Sequence, residues 1–177
     1  QCCGRFLLIL DDDSHPRDSR TLDRIMEVLE NRPDAGAVAC RIEGPDGRRF
    51  SSWHIPAQDR PAPSMAVIGC GFAVRRELFA DIGWYPAEYF LYQNDVYAAL
   101  RIRQVGYGIL FEPDCRVVHL ESQTGRGSWR KVFYPTRNSL WLMRSFAPKT
   151  WKPYLVMSRM IIGLIRAGQY RAVNAWW

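Results

Sequence analysis

The C-terminal part of the sequence lacks acidic residues. From Ser122 to the last residue there is no Asp or Glu, although this stretch holds ten of the 24 Arg and Lys residues and five of the seven tryptophans. All 18 acidic residues lie in the preceding part, while the whole chain has a formal net charge of +6. This asymmetry predicts two regions with different roles, which we place at 1–128 and 129–177.

The patterns of several protein classes are also missing. The sequence has no run of roughly 20 apolar residues, which argues against a helix that crosses a bilayer. Its five cysteines form no CxxC pair, which argues against a zinc site or a disulfide framework and favours reduced thiols in a cytoplasmic setting. With 47% apolar and 24% charged residues, the composition is that of an ordinary globular protein.

Hydrophobic patterning predicts an alternation of strands and helices. Unbroken apolar runs, typical of strands covered on both faces, predict strands at 5–10, 35–42 and 64–76. Residues 106–119 are predicted as two short strands around a Pro turn. Helical spacing predicts one helix after Pro16 and others at 76–82, 94–104, 129–147 and 154–167. We therefore predict an α/β fold, with a mixed sheet, flanking helices and a C-terminal helical tail.

One unusual stretch is LLILDDDSHP (7–16), in which an apolar strand runs into three aspartates. In an extended chain Asp11 and Asp13 point to one side and Asp12 to the other. Ligands of open α/β sheets gather at the C-terminal ends of strands, and two carboxylates there make an oxygen site for a divalent cation. The alternative is a solvated turn in which Asp13 or Ser14 caps a helix. The stretch alone leaves both interpretations open.

Two later stretches also carry polar side chains at the ends of predicted elements. In YFLYQNDVYAALR (89–101), Asn94 and Asp95 begin a predicted helix. Asn94 could cap that helix and Asp95 could merely favour its dipole. His119 ends the predicted strand CRVVH, where a lone His is usually a satisfied polar residue. A ligand role for His119 requires that the strand place it beside Asp13.

Taken together, these stretches resemble the family 2 glycosyltransferases, the GT-A-fold enzymes of bacterial surface polysaccharide assembly. LLILDDDSHP resembles the family's DxD segment, and residues 69–119 are similar to its acceptor-side block. That block runs from a Gly-rich strand through Arg-Arg and an acidic pair at a helix start to a final His. FYPTRNS (133–139) resembles the Tyr-x-x-Arg-Asn segment of many bacterial members. The resemblance covers about residues 5–140 and implies a GT-A-like, incomplete Rossmann-like sheet in region 1–128.

The resemblance implies an inverting transfer of a sugar from a nucleotide-diphosphate sugar to a hydroxyl of a saccharide or lipid-linked saccharide, as in rhamnosyl- and galactofuranosyltransferases. In that reaction Asp11, Asp13 and His119 hold a divalent cation, Mn²⁺ or Mg²⁺, that neutralises the leaving diphosphate. Asp11, Asp12 and Asp13 also contact the donor. Asp95 is the base that takes the proton of the acceptor hydroxyl.

Acceptor binding is implied for four residues, Gly71, Trp84, Asn94 and Asp95. Asn94 replaces the first acid of the family's pair, and Tyr97 replaces a later acid. The change at Asn94 removes a supporting negative charge from the family's pattern. The QxxRW signature of processive synthases is absent, which favours the addition of single or few sugars over polymer extrusion.

The strands that bind the donor base in this family precede the DxD segment. We therefore expect this chain to be a piece of a longer protein, one that lacks the N-terminal nucleotide-binding part and is inactive by itself. The alternative function is a non-catalytic, saccharide-binding remnant of such a transferase, which Asn94 also permits.

The basic tail suggests a further partner. Residues 129–177 combine basic side chains with tryptophans and apolar runs such as YLVMSRMIIGLI, which suits the surface of an anionic membrane. We expect a cytoplasmic protein held peripherally at the inner face of the plasma membrane. The alternative is that these helices pack on the sheet with their arginines in water. We expect no nucleic-acid partner, because no DNA- or RNA-binding signature accompanies the basic residues.

Overall fold

The computed structural model describes residues 3–50, 55–120 and 129–169. The described residues form two compact units. Residues 3–50, 55–85 and 95–120 make up the first, and residues 86–94 and 129–169 make up the second.

The first unit is built on a six-stranded mixed sheet with flanking helices, which confirms the predicted fold class. The strands follow one another in the order β1-β5-β3-β6-β2, with β4 paired to β6. Strands β3 and β6 are parallel, and the other pairs are antiparallel. The strands are β1 (Phe6–Leu10), β2 (Ser14–Pro16), β3 (Ala35–Glu43), β4 (Ala62–Pro63), β5 (Gly71–Arg75) and β6 (Gly108–His119). The helices are α1 (Ser19–Asn31), α2 (Arg76–Asp81) and α3 (Asn94–Gln104).

Both faces of the sheet are covered by apolar side chains. Along β3, Ala37 and Ala39 belong to a core cluster that includes residues of α2 and α3. The alternate residues Val38 and Cys40 belong to a second cluster, which includes residues of α1. Burial on both faces explains why β3 is apolar without alternation, as its sequence predicts.

Two buried glutamates of the long strands β3 and β6 interrupt this apolar interior. Glu43 and Glu112 are each 1% exposed. Glu43 pairs with Arg17 and Arg41, and Glu112 pairs with Arg24. A buried carboxylate without such a partner is strongly destabilising, so the arginines are required for these acids to be tolerated.

Three strand predictions need correction. Residues 108–119 form one strand instead of two, because Pro113 lies at an irregularity where the pairing with β3 shifts from Cys40↔Glu112 to Arg41↔Arg116. A bulge accommodates a proline, which has no N–H to donate to the ladder. The short strand β2 was not predicted, because no local pattern marks it. The predicted strand 64–76 is shorter, since regular pairing in β5 begins at Gly71.

In its described residues the second unit contains a 3-10 helix, Ala87–Tyr89, and two α-helices, α4 (Arg130–Phe146) and α5 (Lys152–Gln169). The two α-helices confirm the predicted helical tail. They share a small apolar cluster of Val132 and Ala167, with Phe133 packed against it. Most of the apolar side chains of α5 remain exposed, including Tyr154, Met157, Ile161, Leu164 and Ile165. Among the described helices, none combines the length and the apolar character that a membrane crossing requires.

Within the second unit, α4 holds the segment 86–93 in an unusual conformation. Phe90, Tyr92 and Gln93 have φ angles of 54°, 67° and 67°, in the left-handed region that side chains with a Cβ rarely adopt. The amide group of Asn138, which is fully buried, donates to the backbone oxygens of Tyr89, Leu91 and Tyr92, each at 2.8 Å.

Candidate active site

The three consecutive aspartates form the connection between β1 and β2, which lie at opposite ends of the strand order. The Ser14 N–H donates to the Asp11 backbone oxygen at 3.1 Å, which closes a turn. The extended conformation expected for this stretch is therefore wrong. Asp11 and Asp12 are exposed, whereas Asp13 is half-buried.

His119 lies beside Asp13, as a ligand role requires. The register of β2 with β6 places Ser14 opposite His119, and the Leu120 N–H donates to the Asp13 backbone oxygen at 2.9 Å. The His119 Nε2 atom is 3.2 Å from Asp13 Oδ1, and the two side chains are 16% and 21% exposed. The Phe50 ring lies 5.7 Å from the imidazole and shields one side of it.

Strand register also brings a cysteine to the aspartates. Leu10 pairs with Gly71 at the ends of β1 and β5, so Asp11 and Cys70 continue two neighbouring strands past the same end of the sheet. One ligand atom each from Asp11, Cys70 and His119 lies within 4.8 Å of the other two. Burial, together with the negative charges of Asp11, Asp95 and Asp13, raises the pKa of the Cys70 thiol to about 12.

Asp95 lies in the first turn of α3, next to the same end of the sheet. Its Oδ2 accepts a hydrogen bond from the Gly69 N–H at 3.2 Å, and its Oδ1 accepts one from the Val96 N–H at 2.8 Å. Burial, with the charges of Asp95 and Asp11, raises the pKa of Tyr85. Gly69 and Cys70 are adjacent in sequence, so one short loop contacts both Asp95 and the Asp11–His119 cluster.

The residues proposed for acceptor binding have different surroundings. Gly71 is buried in the sheet, and an added Cβ there would overlap Ile42 Cδ1 and lie 3.0 Å from Val117 Cβ, so packing by itself favours a glycine. Trp84 is 44% exposed, with its ring edge against Phe79. Asn94 is the first residue of α3. Acceptor binding by these residues stays a prediction.

Two residues of this site, Gly69 and Cys70, were not predicted from the sequence. Their only local signal is the glycine-rich GCG (69–71) just before a strand, which indicates close approach of a backbone without saying to what. The pairing of β1 with β5 places Cys70 next to Asp11.

No protein-family model matches the sequence. Several curated proteins are similar to it, including the two that follow. The O-antigen biosynthesis protein RfbC of Myxococcus xanthus is 25% identical over 149 residues, which are 71% of this chain and 12% of that protein. The N-acetylglucosaminyl-diphospho-decaprenol L-rhamnosyltransferase of Mycobacterium tuberculosis is 26% identical over 137 residues, which are 60% of this chain and 44% of that protein. The matches thus span less than half of either relative.

A solved structure is similar to nearly the whole chain. The mannosyltransferase PcManGT from Pyrobaculum calidifontis, in complex with GDP-Man and Mn²⁺, aligns with a TM-score of 0.63 and 22% identity. The alignment covers 98% of this chain and 51% of that one, and at this identity it shows the fold alone. The chain is thus similar in sequence to an O-antigen biosynthesis protein and a rhamnosyltransferase, and its fold is similar to that of GT-A glycosyltransferase structures.

Proposed function

We propose that the complete protein containing this chain transfers a sugar from a nucleotide-diphosphate sugar to a hydroxyl of a saccharide or lipid-linked saccharide, with inversion, in surface polysaccharide assembly. The observation that carries the proposal is the grouping of Asp11, Asp13 and His119, with Asp95 linked to them through the loop at Gly69 and Cys70. The names of the two curated relatives support it, since one acts in O-antigen biosynthesis and the other is a rhamnosyltransferase with a diphospho-decaprenol in its name.

The residues at the strand ends fit a divalent cation. Asp11 and Asp13 supply carboxylate oxygens, and the imidazole of His119 supplies a nitrogen next to them. A cation bound there would neutralise the negative charge that develops on the departing diphosphate. The Mn²⁺ in the complex of the similar mannosyltransferase agrees with this choice. Asp12 is exposed on the same turn and contributes to the donor side.

Asp95 acts as the base. The N–H groups of Gly69 and Val96 each donate to one of its carboxylate oxygens, which fixes the orientation of the carboxylate. An ionised carboxylate accepts the proton of an acceptor hydroxyl as that hydroxyl attacks the anomeric carbon. A single displacement assisted by one base inverts the anomeric configuration.

The test uses the complete open reading frame that encodes this chain, with Asp95→Asn as the variant. Release of nucleoside diphosphate from a panel of nucleotide sugars should fall by roughly 10² to 10⁴, the usual contribution of a general base. Cation affinity should stay within about twofold. Asp81→Asn, an exposed aspartate of α2, is the matched control and should keep full activity. Full activity of Asp95→Asn would show that the base is another residue.

Asn94 favours a second candidate, a saccharide-binding protein without turnover. An amide stands where the family's pattern has an acid, which removes a negative charge next to the base. Donor hydrolysis separates the two functions, because a binding remnant binds saccharide but releases no nucleoside diphosphate from any donor. If the protein is a binding remnant, neither Asn94→Asp nor Asn94→Glu should produce activity. If it is an active transferase, these substitutions should change its rate.

We also propose that residues 129–177 bind an anionic membrane surface at the inner face of the plasma membrane. Helix α5 exposes apolar side chains, among them Met157 (64%) and Leu164 (58%). The same helix carries Lys152, Arg159 and Arg166 and no acidic residue. Each basic group near an anionic leaflet contributes about 1 kcal/mol, and exposed apolar side chains add to this by entering the interface. The lack of acidic residues thus favours lipid over a protein partner of mixed charge.

Vesicle co-sedimentation tests this membrane proposal with the chain itself. Binding should require anionic lipid, weaken with salt and fall at least about tenfold in Ile161→Glu, which places a negative charge among the exposed apolar residues of α5. Leu22→Glu, the same kind of change at an exposed apolar residue of α1, should bind like the original chain. Equal binding to neutral and anionic vesicles would contradict the proposal. The chain could instead form a concentration-dependent dimer that Ile161→Glu abolishes, and bind no lipid. That result would mean that α5 packs against a second copy of the chain.

A further inference from the structure

Cys70 differs in its surroundings from the other buried cysteines. Cys40 and Cys115 are 1% and 0% exposed and lie within the apolar cluster of the α1 side. Cys70 belongs to the edge of that cluster, and its sulfur lies within 4.8 Å of a ligand atom of both Asp11 and His119. Cys70 therefore has both a carboxylate and an imidazole close to its sulfur.

The arrangement follows from three strand ends. Asp11 follows β1, Cys70 precedes β5, and His119 is the last residue of β6. The antiparallel register Leu10↔Gly71 fixes Asp11 relative to Cys70, and the β2–β6 register fixes the aspartate turn relative to His119. The sheet sets the positions of these three residues. Small movements of their side chains therefore suffice for all three ligand atoms to bind one ion. In such a site the oxygen, nitrogen and sulfur atoms lie about 2.0–2.3 Å from the ion.

We infer that Cys70 contributes a sulfur ligand to the cation site, which gives this site a preference for Zn²⁺ and Co²⁺ over Mg²⁺. The inference rests on the proposed function, because it adds a ligand to the cation site proposed there. Thiolate is a soft ligand that favours zinc-like ions, whereas Mg²⁺ takes oxygen ligands and keeps its waters. When the cation binds, the S–H bond breaks, the proton goes to solvent and a sulfur–metal bond forms.

The inference departs from the sequence-based expectation that the cysteines form no zinc site. That expectation holds for ligands close together in sequence, such as CxxC pairs. Here the ligands come from residues 11, 70 and 119, and only the pairing of the strands brings them together.

Titration of the chain with Co²⁺ tests the inference without any need for activity. Cobalt bound by a thiolate gives an intense near-ultraviolet sulfur-to-metal charge-transfer band, which oxygen and nitrogen ligands do not give. We expect this band in the original chain and in Cys3→Ser, which removes an exposed thiol and controls for adventitious binding. In Cys70→Ser the band should be absent. Co²⁺ and Zn²⁺ affinity should fall at least about tenfold in that variant, with Mg²⁺ affinity unchanged.

The outcomes separate this inference from the proposed function. Co²⁺ that binds without the band, or with equal affinity in Cys70→Ser, overturns the sulfur ligand and leaves the proposed cation site in place. If neither Co²⁺ nor Mn²⁺ binds, both proposals fail. If circular dichroism shows that Cys70→Ser is unfolded, X-ray absorption of the Zn²⁺-loaded original chain decides instead. A sulfur neighbour at about 2.3 Å supports the inference, and nitrogen and oxygen neighbours alone at about 2.0–2.2 Å overturn it.

Discussion

Replacement of Asn138 should loosen the segment 86–93. The Asn138 amide has two N–H donors and contacts three backbone oxygens, so one N–H is shared between two of them. The Tyr89 oxygen also accepts from Arg137 at 3.2 Å. In Asn138→Leu, which keeps a similar volume, the oxygens of Leu91 and Tyr92 therefore lose the hydrogen bonds that the amide supplies.

The expected cost can be worked out from these contacts. A buried acceptor that loses its donor costs roughly 1–3 kcal/mol, with the lower end for groups that water can reach. Leu91 and Tyr92 are half-buried, so we expect about 1 kcal/mol for each and about 2 kcal/mol together. The left-handed conformations of Phe90, Tyr92 and Gln93 add to the effect. Such conformations persist only where the surrounding contacts hold them.

Hydrogen exchange followed by mass spectrometry measures this local change. A loss of about 2 kcal/mol corresponds to a roughly 30-fold faster exchange, since about 1.4 kcal/mol is tenfold. The reporters are the N–H groups of Tyr89 and Phe90, which donate to Pro86 and Ala87. Lys131→Leu, at an exposed position of the same helix, introduces the same residue and should leave this exchange unchanged.

Unchanged exchange at Tyr89 and Phe90 in folded Asn138→Leu would refute the reasoning. It would mean that the left-handed segment holds its conformation without the amide. If the variant does not fold, the partly exposed Arg137 provides a second test. Arg137 donates to the Glu88 oxygen at 2.6 Å and lies over the rings of Tyr134 and Trp141. Arg137→Lys keeps the charge but loses the planar stacking, and it should raise exchange in the same segment by a smaller factor.

Two further predictions concern the first unit. Gly71→Ala should lower the free energy of unfolding by about 1–3 kcal/mol, because the added Cβ meets Ile42 and Val117 in a packed interior. Gly108 is also the first residue of a strand, but an added Cβ there would lie 3.6 Å from its nearest neighbour. Gly108→Ala should therefore cost less than about 1 kcal/mol in the same urea unfolding experiment. Equal costs of the two substitutions would contradict the packing argument. Burial, with the charge of Glu112, raises the pKa of the Cys115 thiol to about 12, so the unfolded chain loses this proton first as the pH rises. The stability from the protonated thiol is complete below about pH 8.5 and falls towards pH 12 by at most ~1.4 kcal/mol per pH unit. Cys115→Ala should therefore show a shallower decline between about pH 9 and 11, and an identical slope would contradict the assignment.

The order and kind of most elements could be predicted from the sequence. Strand β3 is apolar without alternation because both of its faces are covered, and α1 shows the spacing of a helix with one buried stripe. The spacing of apolar residues shows which face of a segment packs against the core. The type of each element can therefore be predicted from the local sequence. The aspartate run and His119 were also recognisable, because each follows or ends an apolar strand.

The tertiary structure alone decided which of these groups meet. The sequence allowed both a turn and an extended chain at residues 11–14, and only the structure decided for the turn. The continuous strand β6 with Pro113 at a bulge and the position of Cys70 beside Asp11 had no local signal. Each depends on the register between strands far apart in sequence, and a shift of one residue would turn the side chains to the other face. Register is set by the summed packing of the whole sheet, including the close fit of Gly71 against Ile42 and Val117. A local pattern of residues carries no information about that sum, which is why the neighbours of Asp11 became known only from the folded chain.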